Sequence, residues 1–222
     1  MTKIGVLGGI GPEATGEFYT KLITKLQKSG KIKSNTDFSQ IIVNSIPAPE
    51  LIYDTISDED LQPYIDGLKE LDSLNVDFIA MVCNTIHLYY DRLQKQVNAP
   101  IIDLRKAVHD SLKKKNVKSV FVLGTPNTIK QGLYKFEGLN TLEPTLEEQK
   151  QMIDAIFLFN KGVEKENQKD LVKKICEKYL CKGAEVVILG CTEFAVMLQD
   201  GVPCVNTIDV LVEETLIKSS SE

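Results

Sequence analysis

Cys83 and Cys191 each follow an apolar run of strand length and precede residues at helical spacing. Residues 76–82 lead into Cys83-Asn84-Thr85, after which Ile86, Tyr89, Tyr90 and Leu93 keep to one helix face. Residues 184–190 lead into Cys191-Thr192-Glu193 in the same way. Both thiols are therefore expected on a tight turn between a buried strand and a helix, where the first backbone N–H groups are unpaired. Those donors and the helix dipole favour a thiolate. Two opposed thiols suit acid and base work on the two faces of one carbon: one removes a proton and the other returns one. The carbanion between them resembles an enediolate and its carboxylate needs donors. Helix N-terminal N–H groups and the side chains of Asn84, Thr85 and Thr192 can supply them.

Competing uses of these residues are plain. Paired cysteines can form a disulfide, which a reducing compartment disfavours. Cys176, Cys181 and Cys204 read as small buried hydrophobes, and the spacing of the first two matches no common zinc site. His87, one helical turn past Cys83, either tunes that thiol or fills a half-buried position. Glu193 either meets a substrate amine or caps its own helix. His109 reads as a helix-surface residue. Gly9-Ile10-Gly11-Pro12-Glu13-Ala14 satisfies the G-x-G-x-x-A dinucleotide pattern, but the second strand ends in Asn44-Ser45, not in the acidic residue that would hold a ribose.

The chain has 222 residues and a net charge of −5, with no face basic enough to follow phosphates, so nucleic acid is not an expected partner. No run reaches the ~18 apolar residues of a membrane span. The start lacks the pattern of a signal peptide, so a cytoplasmic protein with five reduced cysteines is expected.

Strands are expected at residues 3–7, 40–43, 76–82, 101–102, 119–123 and 184–189, and near Val205. They alternate with helices opened by Pro12, by capping boxes at Ser57/Asp60 and Thr145/Glu148, and by Asp103, with others over residues 167–180 and 209–217. This is an α/β pattern of mainly parallel sheets flanked by helices. A weak repeat relates Leu7-Gly8-Gly9 to Leu123-Gly124-Thr125, and Cys83-Asn84-Thr85 to Cys191-Thr192-Glu193. It implies two pseudo-symmetric domains with the active site in the cleft between them, where their strand C-terminal ends meet.

Gly8 through Thr15 match Gly-Gly-x-Gly-Pro-x-Ala-Thr, Cys83 to His87 match Cys-Asn-Thr-x-His, and residues 190–193 match Gly-Cys-Thr-Glu. With residues 128–134 and 144–149, these make the chain resemble the aspartate/glutamate racemase family over nearly its whole length, closest to its aspartate racemases. The resemblance implies a racemase without cofactor or metal, usually a homodimer, acting on a small amino acid. Cys83 and Cys191 are then the acid/base pair of a two-base mechanism. Gly9, Asn84, Thr85, Thr125, Thr128 and Thr192 surround the substrate backbone, and Lys161 stands near a side-chain carboxylate. Residues 1–100 with 206–222 form the first domain, completed by the C-terminal helix, and 101–205 the second.

Aspartate-specific members carry Ile-Pro-Asp-Arg after the second strand. Here the stretch is Ile46-Pro47-Ala48-Pro49, so a bidentate arginine contact is missing. Aspartate or a broader set of acidic amino acids is the expected substrate. Maleate isomerisation, hydantoin racemisation and non-catalytic binding of a small molecule are the alternatives.

Overall fold

Residues 2–52, 56–199 and 201–220 are described by the computed structural model. The outer ends of the first expected domain, residue 1 and residues 221–222, lie outside them. The chain opens with β1 (Lys3–Gly8), α1 (Pro12–Lys28), β2 (Gln40–Ser45), α2 (Asp58–Ser73) and β3 (Phe78–Met81). The three strands form one parallel sheet in the order β2-β1-β3. Side chains on a strand alternate between faces, and on β1 and β3 both faces are buried, whereas the edge strand β2 is half-buried to exposed. Ile4, Val6, Phe78 and Ala80 enter the larger core, while Leu7, Ile79 and Met81 lie in a second cluster with Leu61, Ile65 and Leu68 of α2. That two-sided burial is why these strands read as unbroken apolar runs. Ile101 adds a single parallel bridge to Ile79, less than the short strand expected there.

A five-residue 3-10 turn (Thr85–Tyr89) and the short α3 (Tyr90–Gln94) follow β3, so the helix after Cys83 starts more tightly wound than its spacing suggests. Next comes α4 (Leu104–Lys114), whose N-cap Asp103 accepts the backbone N–H groups of Arg105 and Lys106. The order then repeats: β4 (Ser119–Gly124), α5 (Pro126–Lys130), β5 (Asn140–Leu142), α6 (Leu146–Asn160), α7 (Lys165–Cys181), β6 (Val186–Gly190), α8 (Thr192–Met197), β7 (Cys204–Asn206) and α9 (Thr207–Ser220). The second sheet is parallel, in the order β5-β4-β6-β7.

The repeat read from the sequence is thus a repeat of topology. β1 and β4 are flanked alike, the cysteine strands β3 and β6 stand on equivalent sides, and the bridge at Ile101 occupies the place of β7. Both expected capping boxes are formed. α5 and β5 were not among the expected elements. β5 is a three-residue edge strand paired only with β4, too short to show a period.

One continuous core joins the halves, running from Ile4 and Phe18 through Phe121 and Leu123 to Phe194 and Val212. α9 packs on α1 and on α4, and Lys21 and Lys25 of α1 pair with its Asp209 at 2.8 Å and its Glu213 at 2.6 Å. The two sheets are therefore clamped by helices behind the cleft, and the loops at their C-terminal ends are held against each other in front.

Candidate active site

Four loops at the C-terminal ends of β1, β3, β4 and β6 bring Gly9, Cys83, Thr125 and Cys191 to one cavity of about 340 Å³. That position is where open parallel sheets bind ligands, because strand ends diverge and helix N-termini converge there. Thr85 also lines the cavity. Its hydroxyl is 3.1 Å from that of Thr125 and 3.1 Å from that of Thr128, and these two are 3.2 Å apart. Three buried hydroxyls from both halves therefore share one cluster at the cavity wall. Each can rotate its proton towards an incoming anion.

The thiols themselves correct the expectation of thiolates. Burial pushes Cys83 up to about 12; the N–H groups of Ile86 and Thr85 pull it down, and the Glu193 charge adds to the rise. Cys191 is raised further, by burial first, then by the charge of Glu193 and by the hydrogen bond it donates to that carboxylate. Donors on one short turn do not offset removal of a charge from water. With both pKa values raised, the two cavity thiols are protonated at neutral pH.

An expected result follows for a small alkylating agent. Cys181, which is exposed at the end of α7 and so departs from its buried reading, labels first. Cys83 and Cys191 label slowly near neutral pH and accelerate steadily with rising pH, with no levelling off in the range where an ordinary thiol has fully ionised, because the thiolate is the reacting species. Peptide mass spectrometry reads the order, and fast labelling of Cys83 or Cys191 near neutral pH overturns their protonated state. Of the other two cysteines, Cys176 is buried as expected and Cys204 is half-buried.

Residues behind the wall set its geometry. Asn84 points away from the cavity: its amide donates to Thr207 Oγ1 at 3.0 Å and its carbonyl accepts the Tyr134 hydroxyl, tying the Cys83 loop to the second half. His87 is fully buried, with Nδ1 2.8 Å from the carbonyl of Cys83 and Nε2 3.3 Å from that of Ile102. Burial lowers its pKa, and a neutral imidazole donates through only one nitrogen. The ring clasps the backbone of the cysteine loop and leaves the thiol alone.

Glu193 does not cap α8. Its carboxylate lines the cavity, accepting from Cys191 Sγ at 2.8 Å and from the Thr192 hydroxyl at 3.2 Å. Thr192 thus acts from behind, through Glu193. Gly11, at φ 89°, lets the first loop pass so close that an added Cβ would lie 2.5 Å from Glu193 Oε1. The glycine pattern of that loop is therefore accounted for by packing inside the protein. The N–H of Gly9 is already given to Thr15 Oγ1 at 3.0 Å.

Lys161 stands further apart than the other expected contacts that do not line the cavity: Asn84 and Thr192 lie buried behind its wall, whereas Lys161 is exposed. It follows α6 as its C-cap, exposed, and does not line the cavity, although its neighbour Asn160 does. Glu50, Ile52 and Ile156, which the sequence reading passed over, do line it. The signal available for Glu50 was its place just after the Pro47-Ala48-Pro49 loop at the end of β2.

A parallel α/β scaffold in two similar halves, each presenting one thiol to a shared cavity, defines a narrow class of protein. The profile of the family described as Asp/Glu/Hydantoin racemase matches residues 7–215, and the chain belongs to that family. It is 29% identical over 225 residues to the broad specificity amino-acid racemase RacX of Bacillus subtilis, covering 96% of each chain. Among solved structures it is similar to an aspartate racemase homologue from Pyrococcus horikoshii, at 29% identity and a TM-score of 0.76 over the whole of both chains. Aspartate racemase from Picrophilus torridus shares the fold, with a TM-score of 0.81 at 22% identity over 99% of this chain and 94% of that one.

Proposed function

We propose that the protein interconverts the enantiomers of an α-amino acid by passing the α-proton between Cys83 and Cys191. The observation that carries this reading is that the two thiols line one cavity from opposite halves of the molecule. The names borne by its relatives, a broad specificity amino-acid racemase among them, support the same chemistry.

The α-carboxylate of the substrate sits against the hydroxyl cluster of Thr85, Thr125 and Thr128. Those donors take up the charge that develops on the carboxylate when the Cα–H bond breaks, where they are worth most. The base must first lose its own proton. Cys191 can give its proton to Glu193 along the 2.8 Å contact, turning a thiol and a carboxylate into a thiolate and a carboxylic acid. That transfer adds no net charge to a buried site, which is what makes it accessible there. Among the described residues no carboxylate is hydrogen-bonded to Cys83; its thiolate is met by the N–H groups of Thr85 and Ile86.

In one direction the thiolate of Cys191 takes the α-proton and the thiol of Cys83 delivers its own to the opposite face. The reverse direction exchanges the roles. Two thiols supply both acid and base, so the reaction as proposed needs no cofactor. An acidic substrate such as aspartate is what the family resemblance implies; the cavity walls favour a different side chain.

Proton NMR in D₂O on a panel of L- and D-amino acids tests the reading. Loss of the α-proton signal, accompanied by loss of optical rotation, is the expected result for at least one amino acid. A silent panel overturns it.

A further inference from the structure

The side-chain end of the cavity has the wrong charge for a second substrate carboxylate. Its apolar wall is made by Ala48, Leu51 and Ile52 after β2 and by Ile156 of α6, and its polar groups are Asn160, Glu13 and Glu50. No lysine or arginine lines the cavity among the described residues. Glu13 is held by Lys165 at 2.7 and 2.9 Å, so that part of the rim is close to neutral and the lysine is occupied. Lys165 is held further by its position 4.4 Å over the Phe159 ring. Glu50 has no ion pair with any lysine or arginine among the described residues. Glu193, beside Cys191, adds a third carboxylate.

A carboxylate side chain entering this space would lose water, meet Glu50 and find no fixed cation. Glu50 is itself exposed at the rim, so water and salt weaken the repulsion between the like charges, but it still opposes an acidic side chain that finds no cation. An aliphatic stem against Leu51, Ile52 and Ile156, ending in an amide or an ammonium group near Glu50 and Asn160, meets none of these penalties.

We infer that the cavity selects α-amino acids whose side chain is an aliphatic stem with a neutral or cationic end, and turns away the acidic ones. The inference rests on the racemase reading only in taking the ligand to be an α-amino acid. Glutamine and glutamate, nearly equal in shape, isolate the charge.

The test is calorimetric binding of glutamine, glutamate and lysine, each as both enantiomers, to the full-length Cys83→Ser protein, which removes turnover from the measurement. The same titrations are run on the unsubstituted protein under reducing conditions. Glutamine and lysine are expected to bind at least about tenfold more tightly than glutamate. Added salt and Glu50→Gln should each narrow the glutamine–glutamate gap. Glutamate binding as tightly as glutamine, or none of the three binding, overturns the inference. Racemisation that favours glutamate over glutamine overturns it and leaves the racemase reading intact. The expected binding order with no α-proton exchange does the reverse.

Discussion

Cys83→Ser and Cys191→Ser should each lower racemisation by about 10³-fold or more, because each removes one of two groups that both directions require. Enantiomers have equal free energies in water, so kcat/KM in the two directions must fall together in each variant, whichever cysteine is lost. The difference between the variants lies in exchange. In Cys83→Ser the remaining thiol still faces one enantiomer and can remove its α-proton. With no acid opposite, it returns deuterium from D₂O to the same face, and that enantiomer is labelled without inversion. Cys191→Ser should label the other enantiomer. Proton NMR with chiral analysis of the recovered amino acid separates exchange from inversion, and an unchanged thermal midpoint shows that a sulfur-to-oxygen change has left the fold alone. Racemisation within about tenfold of the unsubstituted protein in either variant, or labelling of one and the same enantiomer in both, would sink the two-thiol mechanism.

Most of the scaffold around those thiols could be read from the chain. Strands buried on both faces leave continuous apolar runs, capping boxes open α2 and α6, and the repeated strand-turn-cysteine unit reports the repeated β2-β1-β3 and β5-β4-β6 orders. What escaped was set by contacts distant in sequence. His87 is four residues from Cys83, which suggests a partner for the thiol, yet its second carbonyl belongs to Ile102 on the next segment. Asn84 looked like a substrate donor, and is consumed by Tyr134 and Thr207 of the other half. Lys161 lies beside a cavity residue in sequence, but the end of α6 turns it outward. The protonation of the thiols is the same lesson in electrostatics. A turn before a helix suggests donors and hence a thiolate, but the depth of burial and the approach of Glu193 are decided by the closing of two halves.

Glu193→Gln separates the two effects of that carboxylate, and they point in opposite directions. As a charge, Glu193 holds the Cys191 thiol up, after burial, so removing it moves Cys191 down towards the ordinary thiol range. Alkylation of Cys191 in the variant should therefore be faster at a given pH below about 10, since more of it is thiolate. As a proton acceptor 2.8 Å from Cys191 Sγ, Glu193 is the group that relieves the thiol during turnover. An amide cannot accept that proton, so racemisation should fall by about 10²-fold, the range of one positioned acid or base. Cys83, whose rise owes more to burial than to Glu193, should change its labelling less. The pH–rate profile should shift as well: activity in the variant is recovered at higher pH, where hydroxide takes over the removal of the Cys191 proton. If Glu193 were only a structural prop, both thiols would label faster to a similar degree as the site loosened, and the lost racemisation would not recover at higher pH. Faster labelling of Cys191 with Cys83 little changed, combined with slower racemisation that recovers at higher pH, identifies the carboxylate as its proton acceptor; racemisation at the unsubstituted rate removes it from the mechanism.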